Sequence, residues 1–272
     1  MPLGSSEDIR SIDRKTLIEF YQQWYSPQMA TVVVVGDVDP VSIEKKIKEM
    51  FASIPRKKVK GYRVYPLTYE KGIALHEIGD DLKRSSELEL IIPHPCVVGN
   101  TVGTIYRKEL GSLLVRAITN RLQARQIRSN VSDAWFLSDK NHFVFTFSGT
   151  DKSGLLQQVS DLSNELECIL KNGFTPEELD DAIKELSRTL KVDCSAQLSG
   201  KWCDDFVDYV ISGDRYIQSE KEMRQLLEKI RSTDSATLQK LLQEWLSYKE
   251  QALLVAYRNN TGKQNSIQKE DI

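Results

Sequence analysis

Apolar side chains recur with helical spacing near both ends of the sequence, and a short apolar run follows each time. The first such stretch places four side chains on one helix face: Leu17, Phe20, Tyr21 and Trp24. The second does the same with Leu238, Leu241, Leu242 and Trp245. Each stretch leads through a short turn into a run typical of a buried strand, Ala30–Val35 and Ala252–Tyr257. The two ends therefore predict the same helix–strand unit.

The two units are copies of one sequence. With a constant offset of 221 positions, Ile9–Val35 aligns with Ile230–Ala256, and ten of the 27 aligned residues are identical. Average composition would give roughly one or two identities by chance. Asp13 and Asp234 precede the two helices, where a carboxylate accepts from free amides of the first turn. If the copies match in length, we expect about 150 residues of the first copy to be absent from this chain.

From about Gly72 onward, the pattern predicts a whole copy of the repeat. The predicted elements are strands Ile73–Ile78 and Ser86–Ile92, the latter ended by Pro93 and Pro95, a helix Thr104–Arg128, strands Ala134–Ser138 and His142–Ser148, and helices Ser153–Lys171, from Thr175, Gly200–Ser212, Gln218–Lys229 and after Asp234. Their order is β-β-α-β-β-α-α-α-α-α-β. This order indicates an α+β fold, a repeated α/β sandwich domain with a mostly antiparallel sheet and helices packed on one face.

These elements divide the chain into four regions. Residues 1–55 are predicted to be the C-terminal remnant of the first homologous domain, a helix–strand–helix piece that ends with a helix at Pro40–Phe51. Residues 56–71 form a basic, proline-bounded linker. Residues 72–258 form the second homologous domain, and residues 259–272 a polar tail.

Charge and cysteine content narrow the function classes. The formal net charge is −2, from 37 basic and 39 acidic residues, which gives no basis for nucleic acid as a partner. No apolar run is long enough to predict a membrane span. The cysteines show no CxxC pair, which favours free thiols in a reducing compartment such as the cytoplasm, an organelle matrix or a stroma. The compartment itself stays open.

Several spaced segments carry a resemblance to a known family. They are Pro2–Ile9, Phe20–Pro27, Val32–Pro40, Phe51–Pro55, Leu110–Arg128 and Thr175–Leu179. Together and in this order they resemble the insulinase/pitrilysin-type zinc metallopeptidases, which include mitochondrial processing peptidase and related bacterial and plastid enzymes. Members of that family are built from repeated homologous α/β domains with a half-barrel form, about the size that the 221-residue offset indicates.

The resemblance implies peptide-bond hydrolysis by a zinc-bound water, with an inverted H-x-x-E-H helix and a distal glutamate. None of these ligands is recognisable here. The three histidines, His76, His94 and His142, are separated by 18 and 48 residues and form no helical i, i+4 pair. We therefore interpret them as ordinary strand or loop residues, and predict no catalytic and no metal-binding residue in this chain. Zinc is expected only in the full-length parent protein.

The resemblance also implies a substrate-binding pair. Shorter family members hold peptide substrate with an Arg-x6-Tyr pattern in the later domain, and Arg128 matches its arginine. Trp135 stands where the tyrosine is expected, so the side chain can stack on a peptide and donate from its indole nitrogen but has no phenolic hydroxyl. The alternative is structural, with an arginine at a helix end and a tryptophan in the core.

The implied function is a non-catalytic, substrate-facing region of a zinc-dependent metalloendopeptidase, a fragment inactive by itself. A catalytically silent family member that serves as a structural or peptide-binding subunit is the alternative, and a stand-alone peptide-binding module is a third hypothesis. The expected partners are an extended peptide or unfolded protein substrate and the missing catalytic domain. Because the strand Ala30–Val35 lacks the other strands of its copy, we also predict self-association through it or cover by its flanking helices.

Overall fold

The structure is a computed structural model that describes residues 5–56, 68–80, 85–99, 101–135, 140–195, 199–213, 219–259 and 267. Contacts divide the chain into two compact units. The N-terminal unit comprises the described residues of Met1–Val64 and Gln197–Ser212, and the sheet unit those of Tyr65–Ala196 and Gly213–Ile272. Most of the predicted linker lies outside the described residues. The predicted domain boundaries stay a prediction.

Nine helices and five strands occur among the described residues. The helices are α1 (Ser6–Ser11), α2 (Arg14–Trp24), α3 (Pro40–Phe51), α4 (Val102–Ala124), α5 (Lys152–Asn172), α6 (Pro176–Ser195), α7 (Ser199–Ser212), α8 (Glu220–Arg231) and α9 (Ser235–Leu246). The strands are β1 (Ala74–Asp80), β2 (Ser86–Pro95), β3 (Ser129–Trp135), β4 (Lys140–Gly149) and β5 (Leu253–Asn259). The order β-β-α-β-β-α-α-α-α-α-β predicted for the second copy is confirmed.

The strands form one sheet in the order β1-β5-β2-β4-β3. Strand β1 pairs with β5 in parallel, and the other neighbours are antiparallel. Alternate residues of the central strands meet on one face, where Leu88, Phe143, Phe145 and Phe147 are fully buried beneath the helices. The predicted α+β class, with a mostly antiparallel sheet and helices on one face, is confirmed.

Strand β2 is longer than the pattern predicted. We expected Pro93 and Pro95 to end the ladder, but β2 runs to Pro95 and pairs with β4 along its whole length. Pairing with β5 stops at Ile91, so both prolines lie where β2 has a single neighbour. Proline lacks only a backbone N–H and is tolerated at such an edge. That prediction was wrong because the number of neighbouring strands is a tertiary property.

Helix α4 is shorter than predicted, since it ends at Ala124 rather than at Arg128. Gln126 follows with φ 60°, the left-handed conformation that commonly ends a helix. The chain then turns directly into β3. Arg128 consequently lies in the connection that leads into this strand.

The start of α6 is held as the sequence predicted. The Thr175 N–H donates to Glu178 Oε2 (2.9 Å) and the Glu178 N–H donates to Thr175 Oγ1 (3.2 Å), which is a capping box. The same carboxylate accepts from the buried Arg121 of α4, with Nε 2.8 Å from Oε1. Burial would raise the pKa of Glu178, but the hydrogen bonds from Arg121 and Thr175 outweigh it and lower that pKa. The cap of α6 therefore also joins α6 to α4.

In the N-terminal unit α2 and α3 form as predicted, but most of their apolar side chains are exposed. The Thr16 N–H donates to Asp13 at the start of α2 (2.7 Å), and α3 has the predicted bounds. The exposed apolar side chains include Leu17, Phe20, Tyr21 and Tyr25 of α2 and its C-cap, and Val41, Met50 and Phe51 of α3. The N-caps and the apolar periodicity are enough to form the helices, whereas burial of their apolar faces requires a second layer of structure that packs against them.

The segment Ala30–Val35 was predicted to be a strand, and this prediction was wrong for the chain as described. The segment has no strand conformation, and no described residue forms a ladder with it. A strand is held by hydrogen bonds to a neighbour, so an apolar run without one stays irregular. Self-association through this segment stays a prediction.

Two further observations concern the rest of the chain. Of the predicted tail, only Asn259 and Ile267 are described, and Ile267 is buried. Among the described helices, none combines the length and the apolar character that a membrane crossing requires.

Candidate functional site

Strand β3 forms an edge of the sheet. Within the described residues it pairs only with β4, in a ladder that runs from Ser129 opposite Phe147 to Trp135 opposite Asn141. An edge strand presents unpaired backbone N–H and C=O groups on its outer side. These groups can pair with a further extended chain, which makes the β3 edge a candidate binding site.

Arg128 and Trp135 flank this edge. Arg128 lies immediately before β3 and is exposed, and Trp135 is its last residue with 62% of its surface exposed. At about 3.3 Å per residue, the two Cα atoms are separated by roughly 23 Å along the strand. The alternative hypothesis of a helix-end arginine and a core tryptophan was wrong, because Arg128 lies beyond α4 and Trp135 is outside the core. Both candidate residues border one edge.

Side-chain contacts join β3 to β4 and to β2. His94 Nε2 at the end of β2 lies 3.0 Å from Asp133 Oδ1 on β3, and Asn141 Nδ2 on β4 donates to Asp133 Oδ2 at 3.0 Å. Each oxygen of the Asp133 carboxylate therefore has a partner on a different strand. This arrangement ties the edge strand to the two strands next to it.

The same network reaches the helical layer through His94, which is 2% exposed. Its ring stacks on Trp245 of α9, with centroids 4.2 Å apart and planes at 18°. Trp245 also meets Phe143 edge-on at 5.0 Å. A Cβ on Gly111 of α4 would lie 3.2 Å from the Trp245 ring, so glycine allows α4 to pass close to it. The buried indole of Trp245 thus positions His94, and His94 in turn contacts Asp133.

His142 belongs to a separate contact on the opposite face of β4, because neighbouring strand residues alternate. Its Nε2 lies 2.8 Å from the Tyr69 hydroxyl. Burial lowers the pKa of His142, an effect that outweighs the opposing hydrogen bond at the Ala134 backbone. Burial in the folded chain thus favours the neutral imidazole of His142 more than solvent does.

A cavity of about 620 Å³ opens between α4, α6 and β3. Its α4 wall contains Val115 and a row of polar residues, which we call the α4 polar stripe: Ser112, Arg116, Thr119, Asn120 and Gln123. The other wall is formed by β3 through Val131, Ser132 and Asp133, and Glu185 of α6 closes the cavity. Arg116 Nη1 donates to Glu185 Oε2 at 3.2 Å. The β3 edge is therefore accompanied by a polar cavity on its helical side.

The described residues do not fit a zinc ion. Among them there is no group of three or more histidine, cysteine, aspartate or glutamate side chains that could hold a metal. In the pair of His94 with Asp133, the histidine nitrogen contacts the carboxylate at 3.0 Å.

Comparison with known proteins identifies the family. The family described as the Peptidase M16 inactive domain matches residues 11–186. The chain belongs to the M16 peptidase family. The resemblance to insulinase/pitrilysin-type metallopeptidases is thereby confirmed. The matched M16 description is that of an inactive domain, which agrees with a non-catalytic region.

Curated M16 relatives are described as zinc proteases. The probable zinc protease PqqL of Escherichia coli is 25% identical over 239 residues, which cover 85% of this chain and 23% of that protein. The probable zinc protease PqqL of Haemophilus influenzae is 22% identical over 271 residues, which cover 93% of this chain and 28% of that protein. The chain thus spans about a quarter of the length of the curated relatives it matches.

Solved M16 structures share the fold. The periplasmic protease PqqL from Escherichia coli has a TM-score of 0.82 at 21% identity, over 99% of this chain and 31% of that one. The ferredoxin protease FusC, solved in complex with Arabidopsis ferredoxin, has a TM-score of 0.74 at 16% identity, over 93% and 29%. The periplasmic location belongs to that relative, and the predicted reducing compartment of this chain stays a prediction.

The sequence indicated the residues at the two ends of β3 but not the side chains that hold this strand in the sheet. Asp133 is 39 residues from His94 in sequence, and Trp245 is more than a hundred residues from both. The repeat pattern predicted that Trp245, like its repeat partner Trp24, lies on the apolar face of its helix. No spacing in the sequence predicted that the Trp245 ring would stack on a histidine. Such contacts follow from strand register and helix packing.

Proposed function

We propose that this chain is the non-catalytic, substrate-facing region of a zinc-dependent endopeptidase of the M16 type, and that it binds extended peptide along the β3 edge. The observation that carries the proposal is the outer edge of β3, bordered by the exposed Arg128 and Trp135. Membership of the M16 family supports a proteolytic parent. Hydrolysis itself would need zinc and ligands other than the described residues.

Edge binding explains why the site is built from backbone as much as from side chains. A substrate strand that adds to β3 gains main-chain hydrogen bonds that are independent of its sequence. The exposed Trp135 indole offers an apolar surface at one end, and the Arg128 guanidinium can bind carbonyl or carboxylate oxygens at the other. Such a surface suits unfolded or extended polypeptide.

The experiment is a titration of the 272-residue chain into fluorescein-labelled extended peptides, with anisotropy as the readout. We expect saturable binding that weakens about tenfold when alternate backbone nitrogens of the peptide are methylated, because these can no longer donate to β3. Trp135→Ala and Arg128→Ala should each weaken binding several-fold, whereas Trp135→Phe should retain most of it.

The matched control is Arg107→Ala, which removes an exposed arginine on α4 before its polar stripe. This variant should bind like the unaltered chain. Saturable binding that is unchanged by peptide methylation and by Trp135→Ala would show that the peptide binds at a surface other than the β3 edge. No saturable binding would contradict the proposal and favour the alternative hypothesis of a structural subunit.

A further inference from the structure

The polar cavity beside β3 bears on which peptides the edge would accept, and this inference rests on the proposed function. A strand that adds to β3 continues the pleat of the sheet, so every second side chain points to the helical side. On that side, the peptide residues beside Val131 and Asp133 enter the cavity bounded by the α4 polar stripe. The cavity thus faces the two peptide side chains that lie beside Val131 and Asp133 on the helical side.

Val115 and Val131 supply an apolar part of the cavity lining, but the ion pair at its α6 side is unsuited to an apolar side chain. Arg116 and Glu185 form an ion pair whose side chains are 34% and 38% exposed, so both still contact water. A leucine-like side chain would remove water from this pair and supply no hydrogen bond in return, which costs free energy. A bound peptide with apolar residues on its helical side is therefore disfavoured.

The charges of the lining favour a donor over an acceptor. Two carboxylates, Asp133 and Glu185, face one guanidinium, Arg116. Both contacts of Glu185 use Oε2, from Arg116 at 3.2 Å and from Asn120 at 3.5 Å. Its Oε1 has no partner among the described residues and remains available to accept. An acidic side chain would meet two like charges, whereas an amine or amide would donate to Glu185.

We propose that the cavity between the α4 polar stripe, β3 and Glu185 is a specificity subsite that accepts a hydrogen-bond-donating side chain of the bound peptide, a lysine or an amide. Glu185 is its main acceptor, and Arg116 and Asn120 hold that carboxylate in place. The subsite sets a preference for alternate basic or amide residues on an otherwise sequence-tolerant edge.

The test uses labelled peptides of about eight residues, enough to run along β3, with threonine alternating with one guest residue. The guests are lysine, glutamine, glutamate and norleucine, the last having an unbranched apolar chain like the lysine stem. Against the 272-residue chain we expect the dissociation constant to rise from lysine and glutamine to norleucine, by about tenfold, and further to glutamate.

A charge-matched pair of variants isolates the subsite. Glu185→Gln should reduce the lysine-over-norleucine preference to near one. Glu167→Gln removes an exposed carboxylate on α5 and changes the net charge equally, so it should leave the preference intact. Equal affinities for all guests, or an unchanged preference in Glu185→Gln, would overturn the subsite while peptide binding stands. Failure of every peptide to bind would instead overturn the proposed function, and the subsite with it.

Discussion

The two copies of the repeated unit share a sequence pattern but differ in burial. In the sheet unit, α9 lies against the core, where Leu238 is fully buried and Trp245 only 5% exposed. In the N-terminal unit, the aligned Leu17 of α2 is 57% exposed. Both helices begin at an aspartate N-cap, and both caps accept from a threonine N–H two residues into the helix. The same pattern thus gives the same helix in two different environments.

The neighbouring sheet causes the difference. Helix α9 packs against β2 and against helices α4 and α5. Strand β5 lies between β1 and β2 in that sheet. Its aligned counterpart, Ala30–Val35, has no ladder partner among the described residues and is irregular. Amphipathic periodicity therefore specifies a helix and the face to be buried, but not what buries it. A large exposed apolar surface such as this is typical of an interface.

The sharpest test of this comparison is a matched pair of leucine truncations. Leu238→Ala should lower the free energy of unfolding by about 4 kcal/mol, because it opens a cavity in a packed core. Leu17→Ala should change it by less than about 0.5 kcal/mol, because that side chain is exposed. Urea denaturation followed by circular dichroism measures both. Equal losses would break the comparison and indicate that the α2 face is covered in solution.

The second test compares a buried ion pair with an exposed one. Arg121 is buried with its guanidinium on Glu178 and over the Phe174 ring, 5.2 Å from the ring centroid. Arg121→Ala should lower the free energy of unfolding by about 3 kcal/mol, because it leaves a half-buried carboxylate without its partner. Thermal and urea unfolding measure the loss.

The matched control lies in the N-terminal unit, where Lys45 and Glu49 are 3.8 Å apart and both largely exposed. Lys45→Ala should have no measurable effect, since exposed pairs contribute little. If Arg121→Ala proved equally silent, the ion pair between α4 and α6 would not be a stabilising contact. Recovery in a double variant, Arg121→Met with Glu178→Leu, would show that the lone carboxylate caused the loss.

The smallest expected effect concerns pH and falls on the sheet unit, because residues 1–64 contain no histidine. Burial lowers the pKa of His142 below its ordinary 6.5, so the unfolded chain takes up the proton at a higher pH than the folded chain. The stabilisation is then complete above 6.5 and is lost as the pH falls through the folded pKa. The pKa of Glu178 is also lowered, so this carboxylate adds a further loss of stability only when the pH falls below its ordinary pKa of 4.5.

Urea unfolding between these two pH limits measures the contribution of His142. The unaltered chain should lose stability as the pH is lowered across this window. His142→Gln should flatten the profile, and the control His76→Gln, at an exposed position of β1, should leave the slope as it was. A slope that persists in His142→Gln would assign the pH dependence to another group.

Much of the fold was predictable because its signals are local. The caps at Asp13, Asp234 and Thr175 formed as expected, since each needs only side chains within the same helical turn. The order of strands and helices predicted for the second copy is confirmed, because periods of 2 and 3.6 residues distinguish the two. Errors occurred where one element depends on another: Pro93 and Pro95 within β2, the left-handed end of α4, and Ala30–Val35.

The candidate site divides in the same way. Arg128 and Trp135 could be named because the family resemblance implies an Arg-x6-Tyr pattern, but Asp133, His94 and Trp245 could not, because they come from β3, β2 and α9. The sequence by itself determined the repeat, the local elements, the family resemblance and the absence of a recognisable zinc motif, all of which depend on residue types at fixed spacings. Only the tertiary structure decided which strand is the edge, which of two equivalent helices is buried and which polar groups line the cavity. These properties depend on contacts between distant segments, and such contacts form only when the sheet assembles.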